Sequence, residues 1–172
     1  MEIESTRFGR LVVDDERVMT FPNGLLGFPD RTRFALIQTS EENYFFWLQS
    51  ADDPNLAFVV TDPTIFFKGY EVPLRDETRQ DLQLPEDVVE PAAEAEGQGV
   101  GHTRGGDAVP PFVQVFVICN KVGDWLTGNL LGPLVVNANN RLAQQVVLTE
   151  KKWTTRQPLL RLESEAVLAK SA

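Results

Sequence analysis

One cysteine and one histidine stand among 172 residues, and that scarcity removes several classes of chemistry. Cys119 alone cannot close a disulfide within the chain, and with His102 it cannot supply the ligands of a zinc cluster. At the end of the apolar run FVQVFVIC it reads as a buried small hydrophobe. His102 lies in a stretch nearly empty of large apolar side chains, so a Ser-His-Asp arrangement would have no rigid support. No GxGxxG occurs. The spacing from Gly101 to Gly106 puts Asp107 where a phosphate loop needs Lys, and a carboxylate there would repel the ligand. No apolar run approaches the roughly 20 residues that span a bilayer. The opening MEIESTRFGR lacks the basic and apolar regions of a secretory signal, so a cytoplasmic location with no membrane contact is expected. Basic residues are also few: 16 Lys and Arg against 25 Asp and Glu leave a net charge of -9, which disfavours direct binding to nucleic acid. No catalytic residue, metal or cofactor is assigned, and the chain reads as a binding protein.

What remains is a sequence of short β-rich runs. The expected strands are Leu11 to Val13, Arg17 to Phe21, Arg33 to Ile37, Tyr44 to Gln49, Ala57 to Thr61, Phe112 to Cys119, Leu134 to Asn137 and Gln144 to Thr149. The fold class is all-β with one or two short helices, and the strands suffice for a closed sheet. Pro22, Asn23 and Gly24 form one turn, and Asp52 to Asn55 close a hairpin. Asn139 and Asn140 enter the left-handed region more cheaply than most residues and join the last two strands. A helix is expected over Leu74 to Leu84, capped by Asp76, with Glu77 in its first turn, Leu82 packed inward and Pro85 as the stop. The C-terminal LLRLESEAVLAKSA is compatible with a last helix or a frayed end. Residues 1–160 are expected to form a single domain, interrupted by a mobile Gly/Ala/Pro-rich loop at 92–111, with 161–172 as a tail.

Charge is uneven. Glu71 to Glu96 holds nine acids against Arg75 and Arg79, whereas Arg141 to Ala172 holds six bases against three acids. An acidic face of this kind suits a basic partner. Asp52 with Asp53, and Asp62 with Glu71, are possible acid and base pairs, although turn capping explains them more simply. The aromatic cluster around Phe45, Phe46 and Trp47 allows two readings. It is either core or an exposed platform for a protein partner or, in the alternative reading, for nucleic-acid bases on a small barrel.

In order, the blocks FGRLVV, VMTFPNGLLGF, FFWLQSADDPNLAFVVTDP, GNLLGPLVVN, QQVVL and WTTRQPL resemble the bacterial flagellar assembly factor FliW family. The resemblance covers residues 3 to 91 and 112 to 159. It implies a small β-barrel-like protein of the cytoplasm that binds flagellin and also CsrA, a dimeric RNA-binding repressor of translation. Flagellin export would free the protein to engage CsrA and relieve repression of messages including that for flagellin. The partner-binding residues expected from charge and exposure are Asp52, Asp53, Asp62, Glu71, Asp76, Glu77, Phe45 and Trp47. Pro22, Gly24 and Gly27 set turns. Asn129 and Asn137 either satisfy backbone groups at strand ends or touch a partner, and Arg156 either pins the chain end or meets a partner's carboxylate. The stretch 92–111 is longer than the family's usual connection, Gly132 stands where Ala is common, and Trp153 where Tyr is common.

Overall fold

A computed structural model of the chain describes residues 1–39, 44–85 and 112–162. The expected loop at 92–111, His102, and the helix or tail beyond residue 162 lie outside them. The described residues form eleven strands: β1 (Glu2–Ser5), β2 (Gly9–Val12), β3 (Val18–Thr20), β4 (Arg33–Ile37), β5 (Phe45–Ser50), β6 (Ala57–Thr61), β7 (Val113–Val122), β8 (Trp125–Gly128), β9 (Leu134–Asn137), β10 (Leu142–Gln145) and β11 (Gln157–Arg161). One α-helix, α1 (Asp76–Asp81), lies between β6 and β7.

Seven strands close into a barrel, in the order β7, β6, β5, β4, β3, β10, β9 and back to β7. Closure depends on the length of β7. Its first half pairs with β9, from Val113 opposite Asn137 to Phe116 opposite Leu134. Its second half pairs with β6 along one edge and with β8 along the other. β8 and β11 therefore extend from the barrel wall instead of belonging to the ring. The β1–β2 hairpin forms its own small sheet. The mostly β class and the hairpin of β5 and β6 agree with the sequence reading.

The period-2 alternation explains the core. Met19, Phe34, Leu48, Val60, Phe116, Leu134, Val136 and Ala143, drawn from all seven barrel strands, meet in the interior. β7 and β9 are buried on their outer face as well. There Val113, Val117 and Val135 pack under Tyr70, Val72, Leu74, Leu82 and Leu84 of the segment that follows β6. The β1–β2 hairpin covers a third region, setting Ile3 and Val13 against Ala35.

Several local expectations are corrected. Arg75, not Asp76, occupies the N-cap, without a side-chain cap bond, and Asp76 is the first helical residue. The helix is shorter than expected because Gln83 takes φ 58 just beyond it. Gln83 N–H donates to the Gln80 carbonyl and Leu84 N–H to the Arg79 carbonyl, a helix end usually built on glycine. The turn after β9 puts its positive φ on Arg141, not on Asn139 or Asn140. The asparagine side chains hold that turn instead: Asn137 Oδ1 accepts from Asn139 N–H and Asn140 Oδ1 from Leu142 N–H. β10 begins two residues earlier than expected and stops at Gln145. β1, β8 and β11 lie outside the expected strands, and β11, not β10, is the last strand among the described residues.

Candidate interaction surface

The register places the expected acidic residues at two ends of the barrel. The turn of β5 and β6 and the long turn from β3 to β4 lie at one end. There Arg33 Nη2 donates to Asp52 Oδ1 at 2.6 Å and Arg31 Nε to Asp53 Oδ2 at 3.3 Å. Ser50 Oγ accepts from the amides of both aspartates, and Asp53 Oδ1 accepts from Asn55 N–H. These carboxylates are committed to their own turn and largely neutralised there. At the other end, Asp62 caps the short turn Pro63–Ile65, accepting from Thr64 N–H at 2.9 Å and from its hydroxyl at 2.7 Å. Glu71, Asp76 and Glu77 are exposed on the segment that covers β7 and β9, and none makes an ion pair among the described residues.

The aromatic cluster divides by face. Phe46 turns into the barrel against Phe116, with ring centroids 6.1 Å apart, so Phe45, Phe46 and Trp47 do not form the continuous stacking platform that the alternative reading required. Phe45 points outward and packs on Phe66. Trp47 also lies on the outer face, half-buried, in a T-shaped contact with Phe8, ring centroids 5.9 Å apart, and with the Arg7 guanidinium over its ring at 4.1 Å.

Behind Trp47 sits a residue that the sequence reading missed as a positioning group. Gln49 is fully buried on the outer side of β5. Its Oε1 accepts from the Ser5 hydroxyl at 2.8 Å, and its Nε2 faces the carbonyls of Ser50 and Leu56, each at 3.1 Å. Ser5 Oγ in turn accepts from the amides of Arg7 and Phe8. One buried amide thus ties the β1–β2 turn to the β5–β6 turn. Its only sequence signal was its place in the block WLQS.

The other marked residues hold turns. Gly24 has φ +68, and a Cβ there would strike the Phe28 carbonyl oxygen. Gly27 has φ +88 but open space around it. Pro22 is exposed in the same turn. Asn129 Oδ1 accepts from Leu131 N–H, and buried Asn137 donates to the Leu82 carbonyl at 2.9 Å. Arg156 is exposed, and its guanidinium has no partner among the described residues. Tyr70 donates to the Leu130 carbonyl at 2.6 Å; burial, reinforced by Glu150, pushes its phenol well above the ordinary range. Burial alone pushes the Cys119 thiol up to about 12. Among the described residues no group of His, Cys, Asp and Glu could hold a metal ion, and no helix is long and apolar enough to cross a membrane.

A family model described as FliW protein matches residues 2–96 and 100–159. The stretch expected as an insertion at 92–111 is therefore matched apart from 97–99. The chain is 36% identical over 160 residues to the flagellar assembly factor FliW of Magnetococcus marinus, covering 93% of this chain and 85% of that one. It is 33% identical to that of Treponema denticola, covering 93% and 94%, and 31% identical to that of Bacillus subtilis, covering 92% and 96%. A crystal structure of the flagellar assembly factor FliW superposes with a TM-score of 0.71 at 28% identity, covering 93% of this chain and 97% of the other.

Proposed function

The chain belongs to the FliW family of flagellar assembly factors, and from that premise we propose that it is a non-enzymatic cytoplasmic binding protein with two alternative partners, flagellin and CsrA. Bound to flagellin, it acts as a holding factor before export. Released from flagellin, it engages CsrA and relieves repression of messages including that for flagellin. The observation that carries the CsrA arm is the exposed carboxylate set of Glu71, Asp76 and Glu77, which no basic residue neutralises by an ion pair among the described residues. An RNA-binding protein must present bases, and a carboxylate face attracts them over roughly a Debye length, about 8 Å at physiological salt. Asp52 and Asp53, held by Arg33 and Arg31, contribute less to that attraction.

The test is co-purification of the chain with flagellin and CsrA, followed by association rates at low and high salt. Reversing Asp76 and Glu77 to Lys should slow CsrA association and remove most of its salt dependence, while flagellin binding changes less. Reversing Asp52 and Asp53 should have the smaller electrostatic effect. Failure to bind either partner would overturn the proposal, and equal effects of the α1 reversal on both partners would remove α1 from the CsrA surface.

A further inference from the structure

Between the β1–β2 turn and the β5–β6 turn lies an open cavity of about 400 Å³, lined in part by Thr6, Arg7, Trp47, Gln49, Pro54 and Asn55. We infer that this cavity is a binding site for a carboxylate, carried by an acidic peptide or by a small organic acid.

Among the described residues the lining contains one cation, Arg7, and no acid, in a chain whose net charge is -9. The nearest acids in sequence on the two turns are already engaged: Glu4 with Arg10, Asp52 with Arg33 and Asp53 with Arg31. Arg7 makes no side-chain hydrogen bond or ion pair among the described residues. Its guanidinium carbon lies 4.1 Å from the centroid of the Trp47 ring. A guanidinium lying over an aromatic face keeps its N–H groups free in its own plane, where they can hold a carboxylate by two parallel bonds.

The site is also built in advance. Phe8 holds the Trp47 ring in a T-shaped contact. Ser5 Oγ holds the amides of Arg7 and Phe8, and buried Gln49 holds Ser5 and the opposite turn. Thr6 donates to Asn55 Oδ1, both in the cavity lining, which leaves the Asn55 amide N–H groups as a second donor set. A single planar cation with an amide beside it suits one negative charge. A phosphate dianion would have only half its charge matched, in a chain that repels anions as a whole.

The test uses the full chain labelled with ¹⁵N and follows the indole N–H resonance of Trp47, assigned by its loss in Trp47→Phe. Three probes are titrated: butyrate, an N-acetylated and C-amidated peptide with one Glu, and inorganic phosphate. The expected result is a saturable shift of the Trp47 resonance with a carboxylate probe, while Trp125 and Trp153 stay in place. Arg7→Gln should weaken binding by about tenfold or more, as loss of a charge-assisted pair does. Arg7→Lys, which keeps the charge but not the fork, should fall between. The dispersed indole spectrum of each variant reports that it is folded. Tighter binding of the peptide identifies a protein partner's acidic segment as the source, and saturation by butyrate alone identifies a small acid. Absence of saturation by either carboxylate, equal affinity in Arg7→Gln, or equally tight binding of phosphate would each overturn the inference. Neither flagellin nor CsrA enters the experiment, so its outcome is separate from theirs.

Discussion

Replacing Gln49 by Leu should be among the more costly single changes in the chain, although the side chain keeps almost the same volume. Gln49 accepts one hydrogen bond from Ser5 and its two amide protons serve turn carbonyls of which Ser50 and Leu56 are the nearest. At about 1 kcal/mol for each of three bonds, the loss is about 3 kcal/mol before any relaxation. The Leu side chain also leaves the buried Ser5 hydroxyl without its acceptor, which pushes the cost upward. For a domain of this size that corresponds to a fall in thermal midpoint of roughly 6 to 12 °C. Urea unfolding of wild type, Gln49→Leu, Ser5→Ala and the double variant would measure it. The coupling between the two sites should lie in the range of about 0.5 to 3 kcal/mol found for residues in one network. A Gln49→Leu variant within 0.5 kcal/mol of wild type, or a cycle with no coupling, would refute the claim that this amide ties the two turns together.

Gly24→Ala should destabilise by about 2 to 4 kcal/mol, because the left-handed backbone costs a β-carbon roughly 1 to 2 kcal/mol and the contact with Phe28 and Pro29 adds overpacking. Gly27→Ala, at a similar φ but in open space, should lose only the first part; equal losses in urea melts would count against the contact. The native protein should resist iodoacetamide at pH 8 and react at Cys119 once unfolded, since its thiol is held up to about 12 against an ordinary 9.0. Both Cys119 and Tyr70 keep their protons longer when folded, so the stability they supply is full below about pH 9 and is lost as pH rises past the ordinary values of 9.0 and 10.0. Tyr70→Phe should flatten the part of the alkaline decline above pH 10, and an unchanged decline would clear Tyr70 of that role. Trp47→Ala should cost about 1 to 2 kcal/mol, below the roughly 3 to 5 kcal/mol of a fully buried aromatic, because its ring lies on the outer face; a core-sized loss in urea would place it among the core residues.

The barrel strands were legible because their apolar residues alternate or run continuously, as in AFVVT and FVQVFVIC. β1, β8 and β11 were not. EIES and WLTG are four residues long and carry few apolar side chains, so their pairing depends on partners distant in sequence. β11 contains Pro158, a residue that argues against a strand interior. The structure accommodates it on an edge strand, where the register slips between Pro158 and Leu160. The site was legible only as residue types. That Asp52 and Asp53 are acidic is plain from sequence, but their neutralisation by Arg33 and Arg31 requires β4 and β5 to be adjacent. Arg7 could not be singled out at all, because the ring it covers is 40 residues away and the turn that aims it is held by Gln49.

The barrel closes between β3 and β10 through a single parallel pair, Leu142 with Thr20, and one further bond from Thr20 N–H to the Arg141 carbonyl. A ladder that short is a weak closure, and side chains complete it. Gln145 accepts from Leu26 N–H at 2.8 Å and donates to the Gly132 carbonyl at 3.0 Å, so one amide joins PNGLLGF, NLLGP and QQVVL. Asn137 and Asn140 both donate to the Leu82 carbonyl, which fastens the end of the α1 segment to the turn between β9 and β10. Gly132 belongs to this arrangement too, since a Cβ there would come within 2.8 Å of Asn129 Nδ2 and 3.0 Å of Gln145 Nε2. Three of the blocks that carry the resemblance therefore meet at the place where the sheet's own hydrogen bonds are fewest, and their polar side chains substitute for the missing ladder. These blocks thus hold the shape of the barrel where its own ladder is shortest.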